Sequence, residues 1–536
     1  MTRMPVSRTI PALLEEQSEK FGEREAIVAG AQRLSYKALR AEVRRTAKGL
    51  MTLGVQRGDH VAILMGNRVE WVLAFLALQQ LGATTVGLNT WATPREMEYA
   101  LAHAEVTCLI AVDHFRRNDY RVMIAGMQPR NTVLPRLRHT VWVAADATTA
   151  PAANIAPAAQ DGMSWEAMVA LGSDVADEQI DAAGRVVHAD DVAMLLYTSG
   201  STASPKGILL QHGKWIQNAF EIGERQHVTH ADRLWLAVSL FWSFGCVNAL
   251  PNLLTHGGCV VLQEHFNAGE ALSLIERERC TILYGTPNMV QALVEHADRA
   301  KHDLSTLRSG AMIGTPEQLM GAVNLGASQI CNVYGLSETY GNCAVIDAGE
   351  PLDVRLQSVG KPLPGVRLRI CHIETGEPIP VGEVGEIRVQ GPLFSAYYKD
   401  EEKTRETFDA QGFFCTGDLG TLDTQGRLYY RGRLKEMVKS GGINIAPIEV
   451  EETLMRHPAV RSAYVIGVPD PSLDEILVAI VILNPASAVT TEELTQFCKK
   501  ELAAYKVPAR FRFAADEELP LTTTGKLQKM KLKSLL

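Results

Sequence analysis

The chain has 536 residues, 46% of them hydrophobic and 21% charged, a balance that excludes a disordered chain and fits a folded, soluble one. With 53 Lys and Arg against 61 Asp and Glu, its formal net charge of -8 offers no general attraction for nucleic acid or an anionic membrane, so basic chemistry must be local. A chain of this length buries on the order of three quarters of its unfolded surface, which predicts more than one core.

Leu39, Val43, Ala47 and Leu50 fall on one helical face, Gly54 ends that helix, and Val61 to Met65 reads as a buried strand. Trp71 to Leu81 is the most apolar helical candidate. Broken by Gln79 and Gln80, and far short of the about 20 residues a membrane span needs, it predicts a buried helix and no stable membrane anchor. Another apolar strand follows near Ala83 to Leu88. The alternation predicts an α/β fold of doubly wound, mainly parallel sheets.

Residues 144 to 160, AADATTAPAANIAPAAQ, have no sustained period and read as a surface connection. A second alternation runs from Val192 to about Ile346. Gly and Pro then crowd GKPLPG at 360–365 and TGEPIPVGEVGE at 375–386, predicting a β-rich subdomain built on turns. From about Lys435 the pattern resets: Pro447 opens a helix, Ala463 to Gly467 and Ile476 to Leu483 read as strands, and Thr490 with Glu493 makes a capping box. These signals predict a separate, small C-terminal α+β domain. The nine cysteines are scattered without a CxxC pair, so neither a disulfide framework nor a zinc site is expected, and a reducing, cytoplasmic setting fits. The N-terminus meets acidic residues before any apolar run of signal-peptide length, so secretion is not expected.

The stretch Asp191 to Gly207, DVAMLLYTSGSTASPKG, runs from an apolar strand into small, hydroxyl-bearing residues and then Lys206. Backbone N–H groups with the hydroxyls of Thr198, Ser199, Ser201 and Thr202, beside Gly200 and the charge of Lys206, make an anion cradle. Pro205 and Gly207 flank Lys206 where a Walker A loop needs Gly and Ser or Thr, so this is a different phosphate loop. A flexible polar hairpin is the alternative for this segment taken alone. Downstream stand Tyr334-Gly335-Leu336-Ser337-Glu338, Cys415-Thr416-Gly417-Asp418-Leu419-Gly420, Arg431-Gly432-Arg433-Leu434-Lys435-Glu436 and Pro520-Leu521-Thr522-Thr523-Thr524-Gly525-Lys526.

In this order the motifs resemble the adenylate-forming superfamily of acyl-CoA synthetases, luciferases and peptide-synthetase adenylation domains, over essentially the whole chain. The resemblance implies a large N-terminal AMP-binding domain over 1–433, a hinge at 434–435 and a mobile C-terminal domain over 436–536. It further implies an AMP-forming acid–thiol ligase using ATP, Mg2+ and coenzyme A on a small-molecule carboxylic acid. Tyr334 would stack on adenine with Asn332 pairing its amino group, while Gly314, Gly335 and Ser337 would line the nucleotide. Glu338 would hold the magnesium, and Asp418 and Arg433 would meet the ribose. Lys526 would stand between carboxylate and α-phosphate, where a cation relieves repulsion and stabilises the growing charge. The same resemblance makes Lys526 a target for a lysine acetyltransferase and deacetylase, whereas Lys529, Lys531 and Lys533 read as a solubilising end. One departure is Ala203, which replaces the usual third glycine of the cradle.

By the same resemblance, Trp242, Phe244, Asn248, Tyr284, Met312 and Ile313 would wall the acyl pocket, with Trp242 at a position where most relatives carry His. Bulky side chains shorten a cavity, and no Lys, Arg or Asp is present there to hold a second charge. The expected acid is therefore a small uncharged ring, such as furoate, benzoate or cyclohexanecarboxylate, with a medium-chain fatty acid as the alternative. The turn Lys439 to Asn444, with Gly441 and Gly442, resembles the one that meets pantetheine, and no carrier domain follows Lys526, so CoA is the expected acceptor. Loading of a carrier protein and a non-catalytic nucleotide sensor are the remaining alternatives, and Lys435 would be the pivot of the swing between half-reactions.

Overall fold

The computed structural model describes residues 3–145, 162–198, 205–440, 443–470, 473–521 and 527–536. The connection expected at 144–160 lies almost wholly outside them. Two compact units emerge: Met1–Val366 with Gly391–Glu406, and Arg367–Gln390 with Thr407–Leu536.

In the first unit, the helix Tyr36–Thr52 begins where Ser35 accepts a hydrogen bond from the Ala38 N–H and buries Leu39, Val43, Ala47 and Leu50, each worth about 1–3 kcal/mol. It stops before Gly54, whose φ of 82° lies in the left-handed region. The helix Val69–Gln80 buries Trp71 to Gln80 without a break, as expected of a helix that is apolar all round. Its two glutamines donate hydrogen bonds inside: the Gln79 amide to Thr85 Oγ1 at 2.9 Å and the Gln80 amide to the Ile180 carbonyl at 3.0 Å.

Among the described residues this unit holds two large, mostly parallel sheets. One has nine strands, in the order Lys361–Pro362, Ala344–Val345, Gln329–Tyr334, Ser309–Met312, Ile282–Tyr284, Arg233–Leu236, Cys259–Leu262, Glu25–Ala29 and Gln32–Ser35. The other has seven, in the order Lys206–Gln211, Val192–Thr198, Thr84–Gly87, His60–Leu64, Cys108–Val112, His139–Val143 and Met163–Ser164. Continuous apolar runs such as Cys108–Val112, buried at every position, are what two covered faces require. No helix among the described residues is long and apolar enough to cross a membrane.

The second unit joins the Gly- and Pro-rich region to the C-terminal region. Its first sheet is an antiparallel set of four, Arg367–Cys371, Gly385–Gln390, Phe414–Leu422 and Leu428–Arg433. Its second is built on the long antiparallel pair Val460–Asp470 and Asp474–Leu483, packed by the helices Pro447–Met455 and Thr491–Glu501. The capping box at Thr490 and Glu493 is formed. By packing, the division between units falls at Val366 and again around 391–406, so the expected hinge at 434–435 lies within the second unit.

Candidate functional site

In the first unit two strands flank the phosphate-loop segment. Val192–Thr198 and Lys206–Gln211 pair antiparallel, with Thr198 opposite Lys206 at the mouth. Ser199, Gly200, Ser201, Thr202 and Ala203 lie outside the described residues. A chain segment from far downstream, Gly391–Glu406, returns to this hairpin: the Tyr398 N–H donates to the Gly207 carbonyl at 2.8 Å and the Leu209 N–H to the Ala396 carbonyl at 3.1 Å. The return delivers Tyr397, whose ring lies 5.1 Å from the Lys206 ammonium and whose hydroxyl donates to Glu338 Oε1 at 2.9 Å. Lys206 and Glu338 are thus gathered on one tyrosine that no local motif marks.

Tyr334 ends the strand Gln329–Tyr334 and is buried, as is Asn332, whose Oδ1 accepts from the Val333 N–H. Gly335 follows where a Cβ would stand 2.3 Å from the Gly341 carbonyl oxygen, so only glycine fits. Ser337 donates to Ser243 Oγ at 3.2 Å, which joins this turn to the segment expected to wall the acyl pocket. Gly314 lies just past the strand Ser309–Met312, where a Cβ would approach Gln318 and Met312 to 3.0 Å. A hard cation such as magnesium takes oxygen ligands, commonly one or two carboxylates together with substrate phosphates and water. The partly exposed Glu338 carboxylate supplies an oxygen of that kind.

The expected pocket wall is assembled only in part. Trp242 packs against Trp91 and Phe241, with ring centroids 5.3 and 5.4 Å away, and Trp91 and Phe241 are themselves 5.3 Å apart. Phe244 opens a π-helical turn, Phe244–Ala249, and its ring meets that of Tyr284 at 5.0 Å. π-Helical turns frequently mark functional sites because an extra residue re-aims the side chains. Tyr284 is fully buried; its hydroxyl accepts from Gln226 at 2.8 Å and Asn252 at 3.2 Å, and burial raises its pKa. Asn248 is equally buried and donates to the Tyr340 carbonyl at 2.8 Å. Met312 is buried, whereas Ile313 is 52% exposed.

Beneath the phosphate hairpin lies a cluster that motif reading did not find. The Tyr197 hydroxyl and His103 Nδ1 are 2.8 Å apart, Tyr99 stacks on His103 at 5.2 Å, and the Tyr99 hydroxyl donates to the Pro205 carbonyl at 3.3 Å. Tyr99 and His103 stand four apart on the helix Pro94–His103, a spacing that puts them on one face and was the available signal. Burial first, and the Lys399 charge second, hold the His103 pKa below the ordinary histidine value.

In the second unit Asp418 and Arg433 are cross-strand partners, with Arg433 Nε 3.4 Å from Asp418 Oδ1. Gly417, at a φ of 68°, lies within the strand Phe414–Leu422 where its pairing with Gly385–Gln390 shifts register just before Asp418, and Thr416 Oγ1 accepts from the Asp418 N–H at 3.0 Å. Burial opposes the Arg433 charge, but Asp418 outweighs it and raises the guanidinium pKa. Lys435 is exposed in the single turn Leu434–Glu436, and Lys439 is exposed on the strand Val438–Ser440. Gly441, Gly442 and Lys526 lie outside the described residues. The tail reading is corrected at one position: Lys531 and Lys533 are exposed, but Lys529 is tucked in and bonded to Glu451 at 2.6 Å.

Residues 14–398 match the AMP-binding enzyme family, and 449–526 match the AMP-binding enzyme C-terminal domain. YngI of Bacillus subtilis (strain 168), assigned as an acyl-CoA synthetase, is 33% identical over 540 residues, covering 98% of this chain and 97% of its own. The mitochondrial medium-chain acyl-CoA ligase ACSF2 of Danio rerio is 31% identical over 551 residues, covering 98% of this chain and 88% of its own. The solved structure of the anthranilate CoA ligase AuaEII in complex with anthranoyl-AMP is similar with a TM-score of 0.85 at 28% identity, covering 99% of this chain and 98% of that one.

Proposed function

From the premise that this chain belongs to the AMP-binding enzymes and is an AMP-forming acyl-CoA ligase, we propose that it activates a small, uncharged ring carboxylate. In such a ligase a carboxylate oxygen attacks the α-phosphorus of ATP and pyrophosphate leaves; the thiol of coenzyme A then attacks the acyl carbon, losing its proton, and AMP leaves. The observation that carries the ring-acid reading is the mutual packing of Trp91, Phe241 and Trp242, together with the Phe244–Tyr284 pair. Aromatic walls of this kind favour flat rings through offset and edge-on contacts and leave little length for a chain.

The roles follow the same reading. Lys206 and the hydroxyl loop from Thr198 to Thr202 hold the phosphates, and Glu338, steadied by Tyr397, offers an oxygen to magnesium, which would neutralise phosphate charge. Tyr334 and Asn332 meet the adenine; Asp418 and Arg433 meet the ribose. Lys526 supplies the cation for adenylation, Lys439 with Gly441 and Gly442 meets pantetheine, and Lys435 is the pivot between the two half-reactions. The cytoplasm, where ATP and CoA are plentiful, is the proposed setting.

A medium-chain fatty acid is the second reading, favoured by the name of the ACSF2 relative. Pyrophosphate release with furoate, benzoate, cyclohexanecarboxylate and a series of straight-chain acids decides between them. The ring acids should lead, and Trp242→Ala, which opens roughly a side chain's volume, should shift preference toward longer chains by about tenfold per 1.4 kcal/mol of new burial. A wild-type preference for long-chain acids would overturn the ring-acid reading.

A further inference from the structure

Lys529 sits three residues after Lys526, and nothing in the reaction calls on it. Its side chain is only 17% exposed, its ammonium lies 2.6 Å from Glu451 Oε1 and 3.4 Å from Glu436 Oε2, and those two carboxylates are themselves 9% and 25% exposed. Glu451 Oε1 also accepts from the Val465 N–H at 2.7 Å, which ties the cluster to the core strand Val460–Asp470. Glu436 is the residue after Lys435. One ammonium therefore joins the helix Pro447–Met455, the turn Leu434–Glu436 and the start of the terminal turn Lys529–Leu535. Burial opposes the Lys529 charge, yet Glu451 and then Glu436 outweigh it and hold its pKa above the ordinary lysine value.

The rest of the segment is tied down around the same point. Leu521 and Leu527 form an antiparallel bridge, the Gln528 N–H donates to the Pro520 carbonyl at 2.8 Å, and Leu532 is buried among Ile466, Ile476, Val478 and Ile480. A buried ion cluster adds little net stability over an apolar replacement of the same shape, but it is demanding about geometry, because a displaced partner leaves a charge uncompensated. Solubilising lysines have no need of such a cluster. We propose that Lys529 is a positioning residue for adenylation: bonded to Glu451 and Glu436, it holds the stem of the Lys526 segment against the beginning of the small C-terminal domain, so that Lys526 reaches the reacting carboxylate and α-phosphate in register.

The inference rests on Lys526 being the adenylation cation, and the experiment separates the two. ATP–pyrophosphate exchange and single-turnover thioester formation from preformed acyl-adenylate are measured on the full chain, with whichever of benzoate, cyclohexanecarboxylate or octanoate wild type turns over fastest. Lys529→Met should lower the exchange kcat by roughly 10- to 100-fold, the effect of misplacing a reacting group by about an ångström, while thioester formation stays within about threefold of wild type. Lys529→Arg, which keeps the charge, should restore exchange to within about threefold. Glu436→Gln, at the more exposed carboxylate, should give a smaller loss in the same half-reaction and serves as the reading if Lys529→Met does not fold. Equal loss in both half-reactions, or wild-type exchange in a folded Lys529→Met or Glu436→Gln protein, overturns the positioning role. Lys526→Ala run alongside is the control: if it retains exchange, the assignment of Lys526 itself falls, and with it this inference.

Discussion

The first unit steadies its candidate loop with uncharged groups, Tyr197 on His103 and Tyr99 on the Pro205 carbonyl, whereas the second holds the stem of its loop with a buried ammonium between two carboxylates. The difference follows from what each loop is proposed to hold. Apart from Glu338, whose charge a magnesium ion would offset, a cradle of N–H groups and hydroxyls for phosphate gains nothing from an anchoring carboxylate, which would repel the nucleotide. A segment that must present a cation gains from an anchor that tolerates no slip. The first unit also buries two neutral imidazoles: His212 and His256 are both fully covered, and burial depresses both pKa values.

The largest effect expected is on the second unit's loop. Lys526→Ala should reduce acyl-adenylate formation by about three orders of magnitude, the scale of losing an electrostatic stabiliser of the transition state, and spare thioester formation from preformed adenylate. Lys435→Pro, which fixes φ and removes an N–H at the proposed pivot, should do the reverse and leave pyrophosphate exchange near wild type while blocking transfer to CoA. Single-turnover assays of each step check both variants, and equal damage to both steps in both variants would show that the pivot and the cation do not serve separate half-reactions.

Next in size is a pH effect on the first unit. The His212 pKa is pushed down by burial from its ordinary 6.5 to about 4. Between those values the unfolded chain takes up the proton and the folded chain does not, so stability is intact above about 6.5 and is lost as pH falls toward 4. For His212 alone the loss approaches about 3 kcal/mol, and His256 adds in the same direction. Urea unfolding followed from pH 7 to pH 4.5 should show stability falling with pH, and His212→Gln should flatten that slope. An unchanged slope in the variant would mean that His212 does not carry the neutral-imidazole effect.

These contrasts bear on what a sequence can disclose. Asp418, Arg433, Tyr334 and Glu338 stand in compact motifs because the chemistry asks for several residue types at short spacing; periodicity was enough for the helix Tyr36–Thr52, and a nearly unbroken apolar run for Val69–Gln80. Tyr397 was illegible for a tertiary reason: it reaches Glu338 only because Gly391–Glu406 folds back on a hairpin nearly two hundred residues upstream. Lys529 was misread for a local one. Four lysines over 526–533 look like a charged tail, but Lys529–Leu535 is a 3₁₀ turn, in which residues three apart eclipse, so Lys529 shares the buried side of Leu532. The acyl wall was legible as a set of bulky residues, yet Trp91, Gln226 and Asn252 carry no sequence mark and enter through packing alone.

The smallest effect tests the uncharged side of the comparison. Tyr99 and His103 project from the helix Pro94–His103 onto both stems of the phosphate hairpin, Tyr197 on one and Pro205 on the other. Tyr99→Phe keeps the ring and its stacking on His103 and removes only the hydroxyl, whose bond at 3.3 Å is a long one. A bond of that kind contributes about 0.5–1 kcal/mol, so the KM for ATP should rise by roughly two- to fivefold, with little change in the thermal midpoint. His103→Leu removes the partner of the half-buried Tyr197 hydroxyl and should cost more, about 1–2 kcal/mol, spread over stability as well as ATP affinity. Added salt should leave the Tyr99→Phe effect unchanged, because no charge is involved. If instead the KM for ATP is unaltered in both variants, the helix Pro94–His103 packs under the hairpin without setting its geometry.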